Sequence, residues 1–217
     1  MNTNFALTIG RQLGSGGKKI GEILSEKLGI PCYDKELILL ASQKSGLGKE
    51  LFEQMDEKSQ HRFFSNFFGF RTGTVGNFAT NYLQNEMLFA IQSDVIRSLA
   101  EKESGIFVGR CADYILRDHP NCLTVFINAN PDDRTNTISQ AMKISEKEAL
   151  DLINETDKKR AGYYNYYSNK TWGMSTSYHL CINSSVLGIE ETAEFISAYI
   201  RSWKTQPHPA PNRSSFD

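Results

Sequence analysis

The chain has no run of about 18 apolar residues, the length a membrane-spanning helix needs. Its N-terminus lacks a charged stretch followed by an apolar one, so a cytoplasmic protein is expected. Neither sign of charge dominates, with 24 Lys and Arg against 25 Asp and Glu. That balance gives no support to a general binder of nucleic acid or of anionic membrane, although a local basic cleft is compatible with it. Cys32, Cys111, Cys122 and Cys181 are scattered without CxxC spacing. Each lies in or beside a strand-like run, which favours small buried thiols over disulfides or metal ligands. No internal repeat is present.

What is present is an ordinary globular composition over 217 residues, 40% hydrophobic and 23% charged. That is enough chain for one full-sized domain with room for an inserted lobe. The stretch that organises it is Phe5-Ala6-Leu7-Thr8-Ile9, of strand character, running into Gly10-Arg11-Gln12-Leu13-Gly14-Ser15-Gly16-Gly17-Lys18-Lys19. Behind the glycines, Ile20, Ile23, Leu24 and Leu28 recur with the spacing of a helix that buries one face. Strand, glycine turn and helix together aim backbone N–H groups and a positive helix end at a phosphate. An ordinary tight turn between strand and helix is the plainer alternative.

Further along, Gly29 stops the first helix and Ile30-Pro31-Cys32-Tyr33 reads as a short strand ending at Asp34. Lys35 to Ser45 and then Leu51 to Met55 read as helices. From His61 to Phe78, six phenylalanines alternate with glycines and asparagines, as in a lobe anchored by aromatics or, alternatively, a base-stacking surface. A long helix is expected from about Ala79 to Lys102. Ile106-Phe107-Val108 is apolar throughout, as in a central parallel strand, and ends at Gly109-Arg110. A helical face resumes from Ala112 to Leu116. Leu123 to Ile127 is the next strand. Asn130 and Pro131 then supply a helix cap and first position, and Ser145 to Glu148 a capping box for a second helix. That helix runs through Asp157 and Arg160 to Tyr163, Tyr164, Tyr166 and Tyr167. Tyr178 to Asn183 is the last strand, Gly188 leads into a final helix ending near Trp203, and the proline-containing tail 204–217 reads as disordered. Five strands alternating with helices predict a three-layer αβα fold with a five-stranded parallel sheet. The strand ends, where such sheets bind ligands, carry the glycine loop, Asp34 and Gly109-Arg110.

These residues together resemble the P-loop nucleoside monophosphate kinases, and more closely the cytidylate kinase-like family. The segments are 8–12 with Gly14-Ser15-Gly16-Gly17, then 30–37, 108–113 and 156–161 before Tyr163-Tyr164. The resemblance implies a P-loop NTP hydrolase fold with a helical acceptor-binding lobe and a helical lid. Its single kinase-like domain would occupy 1–203, with a core of 1–58 and 105–203, a lobe at about 59–104 and a lid at about 134–165. It implies transfer of the ATP γ-phosphoryl group to a nucleoside monophosphate, with CMP or dCMP the first guess and Mg2+ as cofactor. Donor phosphates would be held by Arg11, Gly14, Ser15, Gly16, Gly17, Lys18 and Lys19. Asp34, Arg110, Asp157 and Arg160 would hold the acceptor, with Lys18, Arg110 and Arg160 the catalytic cations. Each has a plainer reading. Arg110 would cap the next helix or pair with Asp113, Asp157 and Arg160 would form an ordinary ion pair one turn apart, and the tyrosines would simply pack. No histidine is assigned a role.

The loop departs from the standard GxxxxGK(S/T) pattern. Aligning Gly14-Ser15-Gly16 without a gap with the glycines of a cytidylate kinase loop puts Gly17 at the lysine position and Lys19 where the magnesium-binding Ser or Thr of that loop belongs, with Lys18 one residue late and Arg11 at the entrance as a further source of charge. Val108 and Cys111 replace aspartates that flank the corresponding Gly-Arg of cytidylate kinases, so no metal ligand is assigned. Two other functions therefore stand beside the first: a P-loop phosphotransferase for another small substrate, and a nucleotide-binding regulatory module without catalysis. A dinucleotide dehydrogenase fits poorly, because Lys19 stands where the third glycine of GxGxxG would be.

Overall fold

Parallel strands buried on both faces need continuous apolar sequence, and the chain supplies it three times. The computed structural model describes residues 4–34, 37–38 and 82–206. In it, β1 (Ala6–Arg11), β2 (Cys32–Tyr33), β3 (Gly105–Val108), β4 (Cys122–Asn128) and β5 (Leu180–Asn183) form one parallel sheet in the order β2-β3-β1-β4-β5. β1 is central: Ile9 is level with Val108 of β3 on one side and Val125 of β4 on the other. The segments that leave β1, β3 and β4 therefore emerge side by side at the carboxyl edge.

Side chains alternate between the faces. Leu7, Ile9, Ile106, Val108, Leu123, Val125 and Ile127 point to one face. There they pack with Ile20 and Leu24 of α1 (Gly17–Leu28) and with Ala193, Ile196 and Ile200 of α6 (Ser184–Lys204). The intervening positions, Thr8, Phe107 and Phe126, are buried on the opposite face. The Phe126 ring lies 5.2 Å edge-on to Trp172 and 5.0 Å from Tyr178, and a Cβ on Gly10 would come within 2.7 Å of it. Helices thus cover both sides, and the three-layer αβα expectation holds.

The remaining described helices are α2 (Tyr82–Lys102), α3 (Ala112–Ile115), α4 (Pro131–Met142) and α5 (Glu146–Ser168), with a 3-10 turn at Ser175–Ser177. The Ser145–Glu148 capping box is complete: Ser145 Oγ accepts from the Glu148 N–H and Glu148 Oε2 accepts from the Ser145 N–H. Gly29 closes α1 at φ 64°, as its position implies. Asn130 differs from expectation. It stands at the cap of α4 without capping it, and its Oδ1 accepts from Asn183 Nδ2 at 2.9 Å instead. β2 starts at Cys32, not Ile30, because Pro31 has no N–H to offer and serves the ladder only through its carbonyl, which accepts from Ile106 N. α6 begins ahead of Gly188, since Asn183 Oδ1 caps the Ser185 N–H. Gly188, at φ 79°, is then a kink inside the helix.

The chain divides into two compact units, 1–35 with 96–217, and 36–95. Of the second, Leu37, Ile38 and the part of α2 up to Val95 are described, and within it Ser93 Oγ donates to the Phe89 carbonyl. The expected helices beyond Ile38, the phenylalanine-rich stretch, the first half of the lobe and the tail past Gln206 lie outside the described residues. No described helix is long and apolar enough to cross a membrane.

Phe126 fills the space that Gly10 leaves open, so Phe126→Ala is expected to destabilise the protein by about 3–5 kcal/mol through cavity formation. Urea unfolding, read as a midpoint shift at constant slope, measures it.

Candidate active site

Between β1 and α1 the backbone must reverse in a few residues. Gly14 and Gly16 do this in the left-handed region, at φ 80° and 74°. A Cβ on Gly14 would lie 2.9 Å from the Arg134 carbonyl oxygen, so the position excludes any side chain. α1 opens on Gly17 with no side-chain cap. The positive end of the helix therefore lies at the loop, an arrangement that suits an anion. Ser15 is buried; its hydroxyl donates to the Gln12 carbonyl at 2.9 Å, and its own carbonyl accepts from Ser184 Oγ at 2.8 Å.

The loop is braced from α4 and α5. The Leu13 N–H donates to Asp157 Oδ1 at 2.9 Å, and the Leu13 carbonyl accepts from Arg134 Nε at 2.7 Å. Arg134 and Asp157, both largely buried, also pair with each other. One residue is thus held at both its backbone polar groups by an ion pair whose halves come from α4 and α5. Arg160, a turn after Asp157, donates to the Arg11 carbonyl at 3.1 Å.

Positive charge concentrates around this loop. Arg11 runs along the loop towards Gly109, so that a Cβ on Gly109 would overlap its guanidinium. Burial, with Arg160 and Arg110 nearby, pushes the Arg11 pKa down to about 9, against the pull of Asp34 and Asp157. Burial lowers that of Arg160 as well. A cation with a lowered pKa is one whose charged form is destabilised where it stands, and a bound anion reverses that. Arg110 is held in an unusual way: Gly109, Arg110 and Cys111 are all left-handed, at φ 78°, 61° and 56°. Its guanidinium lies over the Tyr163 ring at 4.9 Å and donates to Tyr163 Oη at 3.4 Å. Lys18 pairs with Asp34 at 2.6 Å, while exposed Lys19 lies 3.7 Å from Glu22.

Of the residues singled out by sequence, Arg11, Gly14, Ser15, Gly16, Gly17, Arg110, Asp157 and Arg160 are brought together around the loop. Lys18 and Asp34 join them as a pair, and Lys19 points to another partner. Asp157 faces the loop peptide and Arg134, a setting the sequence reading did not foresee. Three residues it missed are Arg134, Tyr163 as the partner of Arg110, and Ser184. Arg134 carried a signal: a charged side chain four residues into a helix that starts beside the sheet edge.

Asp113 is taken by Tyr164, whose hydroxyl donates to Oδ2 at 2.7 Å, and burial raises the Asp113 pKa. The four cysteines are free thiols. Burial raises the pKa of Cys32 to about 11 and those of Cys111 and Cys122 to about 12, which keeps them protonated and poor as nucleophiles or ligands. Among the described residues no group of three His, Cys, Asp or Glu side chains is placed to hold a metal ion.

A parallel sheet in this order, with a glycine loop capping the helix after its central strand, has the fold of a P-loop kinase. A shikimate kinase from Acinetobacter baumannii, solved in complex with shikimate, shares that fold at 12% identity and a TM-score of 0.52, over 94% of this chain and 97% of its own. An uncharacterized protein from Eubacterium ventriosum ATCC 27560 is 29% identical with a TM-score of 0.68, over 92% of this chain and 99% of its own. Residues 6–186 match the sequence profile of the cytidylate kinase-like family, and the chain belongs to that family. A search of curated proteins finds no match.

Arg134→Ala removes the nearer of the two arginines that pair with Asp157 and leaves only Arg160, at 3.9 Å; a loss of about 3 kcal/mol in unfolding free energy is expected by denaturant titration. Asp113 gives a pH signature. Its folded pKa is raised, so the native state holds the proton more tightly than the unfolded chain does. Its contribution to stability is complete below the usual carboxylate pKa and is lost as pH rises through the folded value. Stability measured upward from about pH 4 should carry that falling component in the parent and lack it in Asp113→Asn.

Proposed function

We propose that this protein is a phosphotransferase that moves the γ-phosphoryl group of ATP to a nucleoside monophosphate, with CMP or dCMP the first acceptor to test. The observation that carries this reading is the crowding of Arg11, Arg110 and Arg160 beside a glycine loop at the carboxyl edge of the sheet. Such crowding is unfavourable in the empty state and suits a site that gathers several phosphate groups. Family membership supports the same reaction.

The acceptor phosphate oxygen attacks the γ-phosphorus, the bond to the β–γ bridging oxygen breaks, and ADP leaves. This chemistry asks mainly for alignment and charge neutralisation. The backbone from Gly14 to Lys19 holds the donor phosphates. Arg110, stiffened by its left-handed backbone and by Tyr163, presents a planar fork to the acceptor phosphate. Arg160 contributes charge from the lid side, and Asp157 sets that helix against the loop. Lys18 acts through Asp34, tying the donor helix to the end of β2, where the acceptor is expected. The Gly14 and Gly16 cradle fits phosphates. Bound with ATP, Mg2+ would supply charge neutralisation at the phosphates; no protein ligand for it is assigned among the described residues. The expected setting is the cytoplasm.

A second reading, nucleotide binding without transfer, is favoured by Lys19, which stands at the usual position of the metal-binding hydroxyl and faces Glu22. Transfer to another small hydroxyl or phosphate compound is the variant of the first reading that a wider acceptor screen separates.

The deciding experiment is ADP release from Mg2+-ATP across a full panel of nucleoside monophosphates. Turnover with at least one pyrimidine monophosphate is expected, falling about 100-fold or more in Arg110→Ala. ATP binding by calorimetry with no turnover on any monophosphate, nor on any compound of the wider screen, would favour the second reading.

A further inference from the structure

In the phosphate-loop pattern GxxxxGK the first glycine stands six positions before the lysine, whose ammonium reaches the β- and γ-phosphates. Here Arg11 stands six positions before Gly17, so glycine and cation have exchanged places along the loop. The geometry shows why the exchange must be reciprocal. A Cβ built on Gly17 would lie 2.6 Å from Arg11 Cβ and 3.0 Å from Arg11 Cγ. The nearer of the two, Cβ, is fixed by the Arg11 backbone in β1 and cannot swing aside. Positions 11 and 17 face each other across the loop, and only one of them can carry a side chain.

From there the Arg11 side chain continues to Gly109, where its Nη1 and Cζ fill the space of a missing Cβ. Gly109 immediately precedes Arg110. The guanidinium therefore lies between the loop that leaves β1 and the turn that leaves β3, which are adjacent strands. A lysine on α1 would approach the phosphates from the helix, whereas Arg11 approaches them from the strand.

We propose that Arg11 supplies the phosphate-contacting cation that the standard loop takes from its lysine, and that Gly17 is a glycine because the Arg11 stem occupies the space its Cβ would need. The altered loop is then a rewired phosphate site with its cation intact. This rests on reading the loop as the ATP site. The crowding of Arg11 by Arg110 and Arg160 fits it, since a phosphate placed among the three guanidinium groups relieves their mutual repulsion. Lys18, engaged with Asp34, is then not required at the donor phosphates.

The test uses four variants of the full chain: Arg11→Met, Arg11→Gly, Gly17→Lys and the double exchange Arg11→Gly/Gly17→Lys. Affinity for ATP and for inorganic tripolyphosphate is read by calorimetry, and the thermal midpoint by scanning calorimetry. Arg11→Met keeps the stem over Gly17 without the charge, so it should fold as the parent does and bind tripolyphosphate about 10- to 100-fold more weakly. Gly17→Lys should lower the thermal midpoint, because its Cβ meets the Arg11 stem. The double exchange should recover both the midpoint and most of the affinity. The proposal is overturned if Arg11→Met binds tripolyphosphate within about twofold of the parent, if the double exchange melts below Gly17→Lys alone, or if the parent binds neither ligand. A parent that binds both ligands but phosphorylates no monophosphate would remove the kinase reading and leave the Arg11 assignment standing.

Discussion

The rest of the site depends on how the Leu13 peptide is held. A glycine-rich turn has no side chains with which to fix its own shape, and each glycine adds conformational freedom that folding must remove. The Arg134–Asp157 pair supplies the missing constraint from outside, gripping the N–H and the carbonyl of one residue at once. Partial burial makes each of these hydrogen bonds stronger than it would be in water, provided every member stays paired. Because the two charges come from α4 and α5, the conformation of the glycine loop is tied to the packing of those two helices.

That brace also makes the concentration of positive charge sustainable. Three arginines near one another raise the free energy of the folded chain, and preorganised charge of this kind is what a site for phosphoryl transfer requires before its substrate arrives. Asp157 serves both ends of the arrangement. It balances Arg134, moderates Arg11 and Arg160, and fixes the backbone against which those charges are measured. A carboxylate in this position is more informative about loop shape than its spacing from Arg160 suggested.

The fold was readable in the sequence because its strands are apolar on both faces and its helix ends follow local rules: Gly29, Pro131 and the Ser145 capping box each act within a turn of themselves. The site was readable only in part. The glycines and arginines at strand ends announce themselves by position, but the partners that hold them lie far away along the chain. Arg134 meets Leu13 across 121 residues and Tyr163 meets Arg110 across 53, and no local pattern encodes such pairings. Asn130 shows the converse. Its sequence context predicts a cap, yet a neighbour on the next strand, Asn183, competes for the same oxygen and wins. Position 17 was legible as a departure, while its cause, the stem of Arg11, is visible only in three dimensions.

The left-handed run at the end of β3 has a consequence for how this chain can change. A residue other than glycine held at positive φ costs roughly 1 kcal/mol or more, and here both Arg110 and Cys111 bear it immediately after Gly109. Judged by folding alone, glycine would be the better residue at position 110. If Arg110 is the fork for the acceptor phosphate, as proposed, the arginine there marks a place where stability and function pull in opposite directions. Drift towards a more stable protein is open at this turn in a single substitution, and it would end in a molecule that folds better without that fork.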